Sequence, residues 1–241
     1  MKLSYLLRNF TANSFIAVLI LISVSYCGNL LDTGENLFSP VPLIVFATGA
    51  TVSFGAYKLE NPSGNQNFLP NRPFNTIDQI DNFLFGELLP VTAGGIWIAG
   101  KLSDSNNMES FGEELSRGLI FSYGIVQTLK WSTRRTRPNN ENNNSFPSAH
   151  AAGAACLASI LWSNYGVEAG IPSAAIALYT CFSRVNLGKH FISDVIMGAA
   201  IGTACGIAAF SINENNTTEI LADPISFKIF IDTSGRITTG L

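Results

Sequence analysis

Residues 195–210 read VIMGAAIGTACGIAAF, an apolar run in which Gly198, Gly202 and Gly206 recur every fourth residue. Residues four apart lie on one face of a helix, so the glycines predict a helix whose backbone packs closely against a neighbour. Repeats of this kind pack membrane helices and also serve tight packing in soluble proteins. The run therefore predicts a closely packed helical bundle and leaves open whether its helices cross a membrane.

Other apolar runs precede this one, at residues 41–57, 88–100, 118–129, 151–163 and 169–182. None reaches the roughly 20 apolar residues that a membrane-spanning helix needs, although extending each run by a turn could change that result. Between Ser105 and Lys130, apolar residues recur every three or four positions and predict an amphipathic helix. Its charged residues, which include Glu114 and Arg117, favour a soluble bundle.

The composition restricts the class of protein. Charged residues make up 13% of the 241, against about 25% in typical proteins, and 47% are hydrophobic. This excludes disorder and predicts one domain. The net charge of −3 argues against nucleic-acid binding. Cys156 and Cys205 are expected in the core, and no cysteine or histidine spacing predicts a metal site.

The two ends of the chain differ from its centre. Lys2 and Arg8 precede a 13-residue uncharged run, which is short for a membrane span and typical of a signal peptide. We therefore expect residues 1–27 to be a signal peptide or an uncleaved anchor, and the body to be exported to the periplasm or the cell-envelope membrane. Residues 28–211 form the predicted helical domain. Residues 212–241 are a polar linker followed by a strand or hairpin, because apolar residues alternate from Ile225 to Ile231.

Four of the 14 basic residues fall within eight positions, at Lys130, Arg134, Arg135 and Arg137. Such a cluster in an acidic protein predicts an anion site. The alternative is a solvated helix end, where cations interact favourably with the helix dipole.

The next segment reads Phe146-Pro147-Ser148-Ala149-His150 and leads into an alanine-rich run. Ser148 is a favourable N-cap, so the first free backbone N–H groups of the helix would lie beside His150. Helix N-termini of this kind bind anions.

The third segment contains Arg184, His190 and Asp194. His190 and Asp194 are four residues apart, which predicts that they share a helical face, with the carboxylate holding one imidazole nitrogen and the other directed outward. A nucleophilic or basic histidine is oriented in this way, although such a pair is also common as a plain surface contact.

Together, Lys130-x6-Arg137-Pro138, Pro147-Ser148-Ala149-His150 and Ser183-Arg184-x5-His190-x3-Asp194 resemble the three-part signature of the type 2 phosphatidic acid phosphatases. Bacterial non-specific acid phosphatases and vanadium haloperoxidases share that signature. The resemblance implies an all-α helical bundle of this type, here with a short C-terminal β segment. The chain departs from the family at Ala149, where the signature has glycine.

The resemblance also implies roles for individual residues. His190 would attack phosphorus and form a phosphohistidine, Asp194 would fix its tautomer, and His150 would protonate the leaving oxygen and then activate water. The phosphate oxygens would be held by Lys130, Arg137, Ser148, Ala149 and Arg184. Arg134 and Arg135 have no assigned role, with contact to substrate or a lipid head group as an open alternative.

The function expected from this set is metal-independent hydrolysis of a phosphomonoester or diphosphate, without a cofactor, with vanadate as an inhibitor. The substrate is a phosphorylated lipid, for a protein at a membrane surface, or a small soluble phosphoester. Two alternatives remain. One is a haloperoxidase with vanadate as its prosthetic group, although such enzymes are typically longer. The other is a non-catalytic envelope protein that retains the fold.

Overall fold

A computed structural model of the protein describes residues 27–60, 83–210, 228–231 and 237–240. The described helices are Cys27–Asn36 (α1), Pro40–Leu59 (α2), Leu89–Leu102 (α3), Asn106–Thr133 (α4), Ala149–Asn186 (α5) and Ile192–Phe210 (α6). A π-helical turn, Leu84–Leu88, leads into α3, and the strands Lys228–Ile231 (β1) and Ile237–Gly240 (β2) pair antiparallel. The all-α bundle expected for the main domain is confirmed.

The predictions for the N-terminal segment and for the polar linker concern residues that the structure largely does not describe. The signal peptide or anchor at 1–27 lies outside the described residues except for Cys27. The polar linker that follows α6 also lies outside them.

Helix α5 joins two apolar runs that the sequence analysis treated separately, and it contains a break between them. The apolar runs 151–163 and 169–182 belong to one element, interrupted at Gly166, whose φ of 66° and ψ of −156° are not helical. A positive φ is accessible to glycine because it lacks a Cβ. The N-terminal half of α5 ends there, and the half that follows carries Arg184.

The glycine repeat of α6 packs against the start of α5, as predicted. A Cβ on Gly198 would lie 2.4 Å from the carbonyl oxygen of Ser148, and a Cβ on Gly202 would lie 2.0 Å from that of Ala152. These distances are shorter than a van der Waals contact, so only glycine permits the approach. The repeat thereby brings the first turn of α5 against α6.

Gly202→Ala is expected to destabilise the fold strongly. The added methyl meets backbone that has little room to move, so the free energy of unfolding falls by about 3 kcal/mol, the upper end of the usual range for overpacking. Thermal unfolding in detergent measures the change. The matched control is Gly55→Ala on α2, where nothing lies within 4 Å of the added Cβ. There the same substitution is expected to be neutral or stabilising, by about 0.5–1 kcal/mol. Equal melting temperatures for the two variants would contradict the packing described here.

The charged residues of α4 do not form a solvated face, so that interpretation was wrong. Glu114 and Arg117 are each 1% exposed. Arg117 pairs with Glu113 and donates to the carbonyl oxygen of Ala209 (3.1 Å), while the Asn164 amide donates to Glu114 (2.7 Å). Buried charges require such partners. These charges therefore give no support to a soluble bundle.

Two described helices, α2 and α6, are long and apolar enough to cross a membrane. Helix α2 extends the run 41–57 to 20 residues, which supplies the length that the run alone lacked. Only 17% of its apolar window is buried in the protein, against 72% for α6. Helix α2 therefore has an outer apolar surface, with Ile44 and Phe54 more than 60% exposed, whereas α6 is a core helix.

Candidate active site

The three sequence segments meet where α6 begins. The backbone N–H of Ser148 donates to the carbonyl oxygen of Asp194 (3.0 Å), which joins the start of α5 to α6. The backbone N–H of His190 donates to the carbonyl oxygen of Arg184 (3.2 Å) in the turn between these helices. Both histidine segments are thus fixed by main-chain hydrogen bonds to the same short stretch of the fold.

His190 is buried, with 2% of its surface exposed. Its Nδ1 lies 2.7 Å from the carbonyl oxygen of Ser145. A carbonyl can only accept, so Nδ1 carries the ring proton and Nε2 has a free lone pair. Burial is the main cause that lowers the pKa of His190, to about 4, and the positive charges of Lys130 and Arg137 act in the same direction. The ring is therefore neutral at pH 7, the form that a nucleophile requires.

Asp194 lies beside His190 but not in the arrangement that the sequence predicted. Helix α6 begins at Ile192, so His190 precedes the helix and the pair does not share a helical face. Oδ2 of Asp194 is 3.7 Å from Nδ1 of His190. The same oxygen accepts from the hydroxyl of Ser145 (2.5 Å) and from the backbone N–H of Phe191 (2.8 Å). Asp194 therefore holds the ring chiefly through Ser145, whose carbonyl makes the shorter contact.

Ser145 is a site residue that the sequence reasoning missed. Its side chain is fully buried, and its backbone N–H donates to the carbonyl oxygen of Arg135 (2.9 Å). It immediately precedes the segment Phe146–His150, and this position is the only feature of the sequence that could have indicated a role in the site. Its main role is a backbone carbonyl contact, which any residue type could make.

Two of the predicted phosphate-binding cations, Lys130 and Arg137, act on this ring through their charges. Lys130 is 8% exposed, its Nζ donates to the carbonyl oxygen of Asn144 (2.7 Å), and burial together with the charge of Arg137 lowers its pKa to about 8. The Nη1 of Arg137 lies 3.6 Å from Glu141, and its buried Nε has no hydrogen-bond partner among the described residues. Arg184 is 2% exposed. Buried donors of this kind favour an oxyanion as their partner.

The start of α5 follows the prediction. Ser148 is the N-cap, with extended backbone angles, and its hydroxyl accepts from the N–H of Ala151 at 3.4 Å. Ala149 and His150 are then the first two helical residues, and their N–H groups belong to the turn that has no intrahelical acceptors. Both side chains are half-buried. The hydroxyl of Ser148 is used as a cap, and its backbone N–H is used by Asp194.

The two unassigned arginines have different environments. Arg134 is exposed and ends α4 with a left-handed φ of 45°. Arg135 is half-buried, and its Nη1 donates to Oδ1 of Asp194 (2.7 Å). Its charge is therefore paired within the protein, and contact of this residue with substrate or a lipid head group stays an untested alternative.

An apolar groove of about 650 Å³ adjoins this cluster. One wall is formed by Phe46, Ala50 and Phe54 of α2. The groove reaches the site at Phe146 and Phe191, the neighbours of Ser145 and His190 in the sequence, and it is also lined by Arg135, Tyr57, Leu129, Thr133, Thr136, Met197 and Ser53. A long hydrocarbon chain fits such a lining.

Among the residues that the structure describes, no group of three or more His, Cys, Asp and Glu side chains is arranged to hold a metal ion. The expectation of metal-independent chemistry remains a prediction, and chelation tests it.

The stability of the protein is expected to fall on mild acidification because of His190. An unfolded histidine has a pKa near 6.5 and the folded ring has one of about 4, so between these values the unfolded state binds the additional proton. The contribution of His190 to the free energy of unfolding is fully present above about pH 6.5 and is lost as the pH falls toward 4. At pH 5 the free energy of unfolding is lower by roughly 2 kcal/mol.

Chemical unfolding in detergent at pH 7 and pH 5, for wild type and His190→Gln, measures this effect. The variant removes the titrating group and keeps a polar side chain, so its stability should change less between the two pH values. The same acid-induced loss in both proteins would contradict a buried neutral His190.

Comparison with known proteins finds similarity to one family and to several phosphatases. A family model described as the PAP2 superfamily matches residues 114–218. The lipid A 1-phosphatase of Porphyromonas gingivalis is 34% identical over 100 residues, which cover 40% of this chain and 22% of that protein. The lipid A 4'-phosphatase of Helicobacter pylori is 32% identical over 99 residues, covering 36% and 50%. The phosphatidylglycerophosphatase B of Bacillus subtilis is 32% identical over 93 residues, covering 32% and 46%.

The chain thus spans between about a fifth and a half of the length of these relatives. Among solved structures, a transmembrane PAP2-type phosphatidylglycerolphosphate phosphatase from Bacillus subtilis aligns with a TM-score of 0.46 and 20% identity, covering 85% of this chain and 96% of that one.

Proposed function

We propose that this chain, whose residues 114–218 match the PAP2 superfamily model, is a phosphatase that hydrolyses a lipid phosphate through a phosphohistidine intermediate. One observation carries the proposal most directly. A buried neutral imidazole has its Nδ1 proton held by the Ser145 carbonyl, which leaves the Nε2 lone pair for attack, and buried cations act on the same ring.

In the first step, Nε2 of His190 attacks phosphorus, a P–N bond forms and the bond to the leaving oxygen breaks. His150 donates a proton to that oxygen, so that the product leaves as an alcohol or as a phosphorylated lipid. The ring becomes positively charged, and the Asp194 carboxylate, 3.7 Å away, stabilises it. Lys130, Arg137 and Arg184, with the N–H of Ala149 and the hydroxyl hydrogen of Ser148, whose oxygen accepts from Ala151, hold the non-bridging oxygens.

In the second step, His150, now neutral, takes a proton from water. The resulting oxygen nucleophile attacks phosphorus and the P–N bond breaks, which releases inorganic phosphate. His190 returns to its neutral form, and its Nδ1 keeps the proton that it donates to the Ser145 carbonyl. The departing phosphate carries the negative charge that the cations neutralise.

The substrate class is inferred from the surface around the site. The apolar groove is lined by Phe146 and Phe191, which adjoin Ser145 and His190 in the sequence. It accepts hydrocarbon, whereas a small soluble phosphoester would leave it unused. The named relatives that match the chain are phosphatases of lipid A and of phosphatidylglycerophosphate. We therefore assign an amphiphilic phosphomonoester or diphosphate as the substrate.

The proposed location is the cell-envelope membrane. The outer surface of α2 is apolar, with exposed side chains such as Ile44 and Phe54, and Ile176 and Leu178 of α5 are exposed as well. Exposed apolar surface of this extent favours contact with lipid. Export to the periplasmic side is the part of this proposal that depends on the N-terminal residues.

Phosphate release from the purified full chain in detergent tests the proposal. We expect faster turnover of phosphatidate, phosphatidylglycerophosphate or lipid A phosphates than of p-nitrophenyl phosphate, with no loss of rate in EDTA. The His190→Ala variant is the inactive control. Wild-type protein that releases no phosphate from any of these compounds would refute the proposal. A preference for p-nitrophenyl phosphate would refute the lipid substrate alone.

A further inference from the structure

Arg135 connects the catalytic carboxylate to the end of α2. Its Nη1 donates to Oδ1 of Asp194 (2.7 Å) and to the hydroxyl of Ser193 (2.6 Å), while Nη2 donates to Oε2 of Glu60 (2.6 Å). The guanidinium lies over two aromatic rings, 4.0 Å from the centroid of Phe191 and 5.0 Å from that of Tyr57. These contacts fix the plane of the group, since cation–π attraction and bidentate hydrogen bonding both depend on its orientation.

Glu60 is the residue that completes this arrangement. It follows α2 directly, and its side chain is only 5% exposed. Its Oε1 accepts from the backbone N–H of Ser193 (2.7 Å), and Oε2 accepts from the hydroxyl of Ser193 (2.9 Å) as well as from Arg135. A carboxylate from α2 thus caps the first turn of α6, the turn that contains Asp194.

We propose that Glu60 is a positioning residue for the reaction, holding Asp194 through Arg135 and Ser193, and holding the ring of His190 through Asp194 and Ser145. The inference rests on the proposed function. Oδ1 of Asp194 faces Arg135 and Oδ2 faces Ser145, whose carbonyl accepts the Nδ1 proton. The hydrogen-bonded chain is therefore continuous from α2 to the attacking imidazole.

The hydrogen-bonded chain also affects the reaction through its net charge. Glu60 and Asp194 supply two negative charges around the single positive charge of Arg135, so the cluster carries one net negative charge. His190 is neutral when substrate binds and positive once the P–N bond forms. The net negative charge therefore stabilises the covalent state more than the substrate complex, which affects kcat rather than binding.

Glu60→Gln tests this proposal, because it removes the charge and keeps the shape. We expect kcat for a lipid phosphate to fall about tenfold, while KM stays within twofold or falls, since one negative charge fewer lies near an anion site. A side chain that served only to support the fold would instead raise KM and lower the melting temperature without this separation.

The matched control is Glu109→Gln. Like Glu60, Glu109 pairs with a basic residue, Lys101 at 3.7 Å, but it lies near the start of α4, about 30 Å along that helix from Lys130. Its kcat and KM should equal those of wild type. Equal kcat for Glu60→Gln and wild type would overturn the proposal, as would a change confined to KM.

A second variant covers the case in which Glu60→Gln does not fold. Glu60→Asp keeps the charge but is one methylene shorter, so it reaches either Ser193 or Arg135 and not both. It should show a smaller fall in kcat at unchanged KM, and wild-type kcat would overturn the proposal. His190→Ala in the same assay distinguishes failure of the proposed function from failure of the positioning role of Glu60. If wild type is active, His190→Ala is inactive and the Glu60 variants match wild type, only the positioning role fails.

Discussion

His190→Ala is expected to abolish phosphate release, with kcat falling by roughly three orders of magnitude or more. The physical reason is that the variant removes the atom that bonds to phosphorus, and no other described residue has a neutral imidazole nitrogen directed by the Ser145 carbonyl. Folding is expected to survive, because alanine leaves a cavity without an unpaired buried charge. Circular dichroism and thermal unfolding in detergent verify this point.

A trapping experiment identifies the intermediate directly. Wild-type protein mixed with a substrate labelled in its phosphate and quenched in base should carry label on His190, because phosphohistidine survives base and is lost in acid. His190→Ala should carry none. His150→Ala should accumulate more label than wild type if breakdown of the intermediate depends on that residue. Label that is absent from wild type, or full activity of His190→Ala, would remove the phosphohistidine from the mechanism.

The second large effect is a difference between His150, which is expected to transfer a proton, and Arg184, which is expected to bind the phosphate oxygens. His150→Ala should lower kcat by roughly 10²–10⁴-fold, the usual contribution of general acid–base catalysis, while inhibition by vanadate stays within a few-fold of wild type. Arg184→Ala should lower kcat/KM and also weaken vanadate inhibition by about 10–100-fold, because a buried charge-assisted contact to the oxyanion is lost.

Arg184→Lys controls for the buried charge. It keeps the positive charge without the planar fork of donors, so its vanadate inhibition should fall between those of wild type and Arg184→Ala. Unchanged vanadate inhibition in Arg184→Ala would contradict the assignment of this side chain to the phosphate. A loss of vanadate inhibition in His150→Ala would do the same for the role of His150 as a proton carrier.

Much of the fold could be predicted from local sequence patterns. The glycine repeat of α6 specified close packing, and the Ser148 cap and the period of α4 gave helix boundaries within a few residues of those observed. Such features follow from the identity and spacing of residues along the chain, which a single sequence contains. The burial of Glu114 and Arg117 was not predicted, because it depends on partners at Asn164 and Ala209 that are distant in sequence.

The candidate site shows the same division. The types and order of Lys130, Arg137, His150, Arg184 and His190 could be recognised because they resemble the three-part signature of a phosphatase family. The contact of His190 with Ser145 could not, since a backbone carbonyl leaves no mark on residue identity. The surroundings of Asp194 could not either, because Arg135 and Glu60 reach it from separate elements.

By itself, then, the sequence determined which groups are available for chemistry and which helix faces must pack closely, since both follow from side-chain identity and spacing. The tertiary structure alone decided the proton position on His190, the orientation of the Asp194 carboxylate and the connection of both to the end of α2. Burial, hydrogen-bond direction and net charge are properties of groups brought together from distant parts of the chain. They acquire definite values only when the helices are in place.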